Sequence, residues 1–235
     1  MSPFLKTLEN EVQLICLAFL ALVYILRLAW IFRFRSARDR GLAEGSGFRG
    51  AGYSLGSVAM PWAMESIRRR PFFYIQFVFF HLGVVAAIAA TFIIPYAPGL
   101  FEKRFIVRGF QIVIGAAFAS GVLRLVRRLS NRTLRSISRP DDYASLALMI
   151  AFFLAGTLAI PNHPEKGEAA LIAFFGLTAF FLVYVPFSKI CHYLYYPFTR
   201  YFLGLTLGRR GVWPPARGRR GSASSADGTA AGRPS

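Results

Sequence analysis

The sequence predicts an all-α membrane protein, a five-transmembrane-helix bundle, and three observations carry that expectation. Hydrophobic residues make up 55% of the 235-residue chain, more apolar surface than a water-soluble domain of this size can hide. Apolar stretches of about 20 residues, the length that a bilayer core of about 30 Å asks of a helix, recur along the chain. Between them the cations gather on alternate loops. Lys and Arg outnumber Asp and Glu by 28 to 11, for a formal net charge of +17. Such a charge is also the footprint of phosphate binding, but these basic clusters lie between apolar runs. They read as topology signals, with membrane lipid and no nucleic acid as the expected partner.

The first span is expected at 11–33. Only Lys6 is basic before it, and the apolar run after Glu11 is too long for the core of a signal peptide, so this helix is expected to stay in the mature protein. The second falls at 71–94 and the third at 106–126. Arg108 and Gln111 near the start of the third and Arg124 near its end make it the least clean, but long arginine side chains reach an interface from inside a span. The fourth falls at 143–161 and the fifth at 169–195. Cys16 and Cys191 sit in or beside spans, without disulfide or metal-ligand spacing, and read as inert buried thiols.

Arg33, Arg35, Arg38, Arg40, Arg49, Arg68, Arg69 and Arg70 crowd the first loop, and Arg127, Arg128, Arg132, Arg135 and Arg139 the third. Lys189, Arg200, Arg209, Arg210, Arg217, Arg219 and Arg220 follow the fifth span, whereas the other side offers mainly Lys6, Lys103, Arg104 and Lys166. This asymmetry predicts an outside N-terminus and a cytoplasmic C-terminus; the membrane is expected to be a bacterial-type inner (cytoplasmic) one. Between Tyr53 and Arg70 the first loop reads YSLGSVAMPWAMESIRRR, which suits either a stretch lying on the membrane surface or an ordinary connector. The domain plan is a five-helix membrane domain over 1–205 and a disordered basic cytoplasmic tail over 206–235, where Gly, Arg, Ser, Ala and Pro offer too little apolar surface to offset chain entropy.

Three histidines hold the chemistry. His163, in PNHPEKGE, is expected to be solvated, whereas His81 lies inside the second span and His192 near the inner end of the fifth. An ionisable side chain at membrane depth is costly and usually has a partner or a function. Imidazole is a standard axial ligand of haem iron, and two helices each giving one His can clamp the macrocycle. The other reading is that each His hydrogen-bonds a neighbouring helix. Gly83, Gly115, Ala116, Ala119, Ser120 and Gly121 would leave room for a flat ring, although small residues also serve plain helix packing. A straight fifth helix offsets the two histidines by roughly 15 Å, and Pro186 is expected to kink it just before His192.

At these residues the chain resembles the membrane cytochrome b subunits of the respiratory nitrate reductase gamma family, including the related subunits of sulfite-reduction-associated and heterodisulfide-reductase-like complexes. The resemblance rests on the five-span plan, on HLG after an aromatic run in the second span, on RPDDY before the fourth and on PFSKICH at the end of the fifth, the most specific of these. It implies a haem subunit passing electrons between quinone or quinol and a cytoplasmic-side iron-sulfur redox subunit, a part of an oxidoreductase complex rather than a complete enzyme. It implies His81 and His192 as axial ligands of the iron of the haem nearer the cytoplasm. The family's other two ligands would fall near Thr91 and Phe174, neither of which can ligate iron, so the resemblance implies one haem b. Arg68, Arg69, Arg70 and Lys189 are candidate partners for its propionates by location, and equally topology residues. The competing class is a cofactor-free membrane scaffold or small transporter. A hydrolase or metalloenzyme of soluble type is not expected, given the lack of HExxH, P-loop and CxxC patterns.

Overall fold

The computed structural model describes residues 1–34, 41–60, 62 and 68–215, and among them every regular element is a helix, with no strand. Five helices are long and apolar enough to cross a membrane. They are α1 (Pro3–Arg33), α3 (Pro71–Tyr96), α4 (Arg104–Ser130), α6 (Pro140–Ala159) and a fifth, α7 (Ala169–Tyr184), which one 3₁₀ turn extends to Phe187. Between them lie α2 (Gly47–Gly56) and the short α5 (Arg132–Ile137), and α8 (His192–Arg209) follows.

The chain divides into two compact units. The first, Met1–Ser36 with Glu65–Tyr193, holds all five spans. Its helices begin and end where local chemistry dictates. Pro71 and Pro140 each open a helix at a position where a missing N–H costs nothing, and the Asn131 side chain accepts the Leu134 N–H at 3.0 Å to start α5. The core is aromatic: Phe152 stacks on Phe174 at 5.3 Å between ring centroids, and Phe80 meets Phe153 edge-on at 5.2 Å. Phe153, Phe174 and Phe175 are wholly buried, while Ile15, Ile25 and Val85 stand exposed on the outer faces of their helices. A surface this apolar is what a bilayer accepts and water does not.

Glutamines tie the spans together. Gln13 Nε2 donates to the Phe175 carbonyl at 2.8 Å, Gln76 Nε2 to Ser120 at 3.0 Å and Gln111 Nε2 to Thr157 at 3.3 Å, each reaching the backbone of a neighbouring helix. A polar side chain in hydrocarbon needs such a partner, and the pairing fixes helix register.

The fifth span departs from the expected 169–195. Its α-helix ends at Tyr184, and two 3₁₀ turns, Val185–Phe187 and Lys189–Cys191, lead to a new helix at His192. Ser188 is extended between them, at φ −103° and ψ 171°. Pro186 denies the backbone one hydrogen-bond donor, and the result is a break rather than a kink.

The second unit, Ala37–Met64 with Leu194–Ser235, is built on close backbone approach. A Cβ on Gly50 would strike Gly204 and Gly208, and one on Gly204 would strike Ala51 and Ser54. Only glycine lets two helix backbones meet this closely. Arg200 donates to the Ser54 carbonyl from Nε at 3.0 Å and from Nη2 at 2.8 Å, and to the Ser57 hydroxyl. The helix through Gly204 continues to Arg209, four residues past the expected domain end, and residues 216–235 of the expected tail lie outside the described residues. So do 63–67 of the expected surface stretch, whose beginning is α2.

Candidate functional site

His81 projects from the second span, α3. Its Nδ1 stands 2.8 Å from the carbonyl oxygen of Phe77, one turn earlier. A carbonyl can only accept, so the proton belongs on Nδ1 and the Nε2 lone pair is left available. The Phe77 ring lies 4.1 Å from the imidazole between centroids, and Phe80 meets it edge-on at 5.9 Å. His192 opens α8, with its Nδ1 3.3 Å from the Lys189 carbonyl, the same arrangement on a second element.

The two rings approach to 6.5 Å between centroids, nearly perpendicular at 84°. The straight-helix offset of roughly 15 Å is therefore absent. The break at Ser188 removes it, because the chain turns there instead of running on along the axis of α7. A metal-to-imidazole bond is about 2 Å and half a ring adds roughly another ångström, so two imidazoles on opposite sides of one metal have centroids about 6 Å apart. The centroid separation thus matches the distance between two imidazoles on one metal, and each ring is oriented by a backbone carbonyl facing its Nδ1.

The turn carrying His192 is anchored from outside it. Lys189 Nζ stands 2.8 Å from Asp142 Oδ1 and 3.4 Å from Asp141 Oδ2, and Arg128 Nη1 lies 3.8 Å from Asp142 Oδ2. The Tyr184 hydroxyl donates to Asp141 Oδ1 at 3.1 Å. The hydrogen bond to Asp142 holds the Lys189 ammonium above the usual lysine range. Lys189, a candidate propionate partner by location, is thereby committed to carboxylates. Arg68, Arg69 and Arg70 precede α3 and are exposed.

From the first span, Tyr24 joins its hydroxyl to that of Tyr193, and Arg27 Nη1 donates to Cys191 Sγ at 3.9 Å. Cys191 is buried and Cys16 partly so, both as free thiols. Burial pushes the Tyr193 phenol above its ordinary range. Neither Tyr24 nor Arg27 stood out in the sequence, although an arginine and a tyrosine three residues apart near a span end share a helix face. Arg124 lies half-buried with its guanidinium 4.7 Å over the Phe80 ring.

Two of the small residues, Gly83 and Gly121, do not hold open a slot, whereas a Cβ on Gly115 would meet nothing within 4 Å. A Cβ on Gly83 would strike that of Ala117, and one on Gly121 would come within 2.9 Å of Ile150 Cγ1. They serve close packing of α3, α4 and α6, the plainer of the two roles open to them. Thr91 donates its hydroxyl to the Ile88 carbonyl at 2.7 Å, and Phe174 stacks in the aromatic core, so both positions are filled by ordinary packing. His163 is remote from the pair, half-exposed, with Nδ1 2.8 Å from Glu165 Oε1.

The chain is similar to a protein of Nitratidesulfovibrio vulgaris strain Hildenborough, at 28% identity over 169 residues that cover 68% of this chain and 72% of the relative. No family model and no solved structure matches it.

Proposed function

We propose that this chain is the membrane cytochrome b subunit of a respiratory redox complex, with His81 and His192 as axial ligands of one haem b. The observation that carries the reading is the 6.5 Å separation of two imidazoles whose Nδ1 atoms both face backbone carbonyls. When bound, the haem supplies reversible one-electron chemistry. The chain's own residues supply orientation and medium. Phe77 and Phe80 wall His81 with aromatic surface, which lowers the local dielectric and keeps water from the ligand. The pairing of Lys189 with Asp141 and Asp142 holds the turn on which His192 is presented.

The resemblance to the nitrate reductase gamma family supports the same two ligands. With Thr91 and Phe174 in the places of a second pair, one haem serves the chain. Quinone or quinol is the partner in the bilayer and an iron-sulfur redox subunit the partner on the cytoplasmic face, with the N-terminus outside and the C-terminus in the cytoplasm of a bacterial-type inner membrane. A single centre on the inner half leaves most of a roughly 30 Å core without a relay. Quinone chemistry then takes place near the inner face, and the reaction moves little charge across the membrane by itself.

Substitution tests the ligands. His81→Ala and His192→Ala each abolish the b-type absorbance of the purified chain, and His163→Ala keeps it. An unchanged spectrum in either ligand variant sinks the pairing.

A further inference from the structure

A cation inside the bundle has no carboxylate partner among the described residues. Arg124, half-buried on α4, lies with its guanidinium 4.7 Å over the ring of Phe80. A Cβ on Gly121 would come within 3.7 Å of that same ring. Gly121 precedes Arg124 by three residues, about 4.5 Å along the helix axis. The side chain therefore turns back toward the middle of its span, away from the basic end of α4 at Arg127 and Arg128. Arg127 behaves otherwise: it is exposed and covers Phe73, near the start of α3, at 4.0 Å. A long cationic side chain near the end of a span is ordinarily drawn to the interface, so a guanidinium held inward needs a reason.

The chain supplies a ring for this cation but no anion. Arg124 forms no ion pair among the described residues. Neither α3 nor α4 contains an acidic residue, nor does α7. Asp141 and Asp142, at the start of α6, are held by Lys189 and Arg128. A guanidinium in apolar surroundings without a countercharge is costly, and attraction to one aromatic face offsets only part of that cost. Phe80 also meets the His81 imidazole edge-on at 5.9 Å. A single ring thus separates the guanidinium from the histidine site.

We propose that Arg124 binds a propionate carboxylate of the haem held by His81 and His192, an inference that rests on the haem reading above. Haem carries its two carboxyl groups on short chains at one edge of the macrocycle, so their partner stands near the axial ligands without touching them. Arg124 has that place, and its planar fork can donate two N–H bonds to one carboxylate. The countercharge that the helices lack then arrives with the ligand, and the pairing fixes which edge of the macrocycle faces α4.

Haem loss from the full chain in lipid nanodiscs, timed by transfer to an excess of a soluble haem-accepting protein, tests the pairing. The unsubstituted chain and Arg124→Gln are each loaded with haem b or with its dimethyl ester, in which both carboxyl groups are capped. With haem b, Arg124→Gln is expected to lose the group at least about tenfold faster, and with the ester the two chains are expected to match within about twofold. Arg127→Gln, on the same helix, leaves the rate unchanged. Arg124→Lys keeps the charge without the fork and falls between, which keeps the test open should the Gln variant fold poorly. Equal loss of haem b from the unsubstituted chain and Arg124→Gln overturns the proposal, as does an equal loosening of haem b and its ester, which marks a packing role. A loosening confined to nanodiscs with anionic lipid assigns the guanidinium to a lipid phosphate and overturns it too. A chain that takes up neither form brings down the haem reading itself, whereas one that holds both and ignores residue 124 loses only the pairing.

Discussion

Lys189 Nζ stands 2.8 Å from Asp142 Oδ1, and this contact joins the turn before His192 to the start of the fourth span. The lysine belongs to PFSKICH and the aspartate to RPDDY, so two motifs that lie far apart in sequence form one structural joint. Both side chains remain partly exposed, 52% and 24%, so the pair's weight in stability is small. Lys189→Met or Asp142→Asn is expected to lower the melting temperature in detergent by about 2 °C or less. The exchanged pair, Lys189→Asp with Asp142→Lys, recovers part of that loss. Equal loss in the exchanged pair and the single variants contradicts a direct joint.

The close crossing of α3 and α4 makes a second prediction. A methyl group on Gly83 would strike the Ala117 Cβ, so Gly83→Ala is overpacked and costs about 1–3 kcal/mol in unfolding free energy. Ala117→Gly on the opposite helix returns the space, and the double variant should unfold near the unsubstituted chain. If the two losses add, the helices do not cross at these residues.

Acid should loosen the N-terminal segment of α1. Hydrogen bonds from the Ser2 hydroxyl and backbone N–H hold the Glu168 carboxyl below the usual carboxylate range. A depressed folded-state value gives stability that is fully present above the unfolded value of about 4.3 and is lost as pH falls through the folded one. Hydrogen exchange at residues 2–6 is therefore expected to accelerate below pH 4 relative to a Glu168→Gln variant, in which the step is absent. A pH-independent rate in both proteins refutes the linkage.

Topology is open to a reporter. With the loop arginines on one side, a reporter active only in the cytoplasm is expected to work when fused after Ser235 and to be silent when fused before Met1. A silent but well-expressed C-terminal fusion reverses the assignment.

Five spans were legible because about 20 consecutive apolar residues have few other uses. Their ends were less so. The first helix starts at Pro3 rather than at 11: the Ser2 hydroxyl caps it by accepting the Leu5 N–H, a local signal that a hydropathy pattern does not score. The break at Ser188 could be suspected from Pro186, but its size depends on Lys189 finding Asp141 and Asp142 in another span, which no local pattern reports. His81 and His192 were legible as rare ionisable residues at or near membrane depth, and their approach was not, since it follows from that break. The backbone approach of Gly50 to Gly204 and Gly208 went unforeseen, although GLTLG carries the four-residue glycine spacing that allows it.

The central claim, one haem b between His81 and His192, is tested most directly by the reduced-minus-oxidised visible spectrum of the purified chain, read together with its haem-to-protein ratio. The account predicts a low-spin b-type difference spectrum at a ratio near one. A chain that is folded, expressed with haem supply and without b-type absorbance contradicts it, and a ratio near two contradicts the reading of Thr91 and Phe174 as positions without ligands.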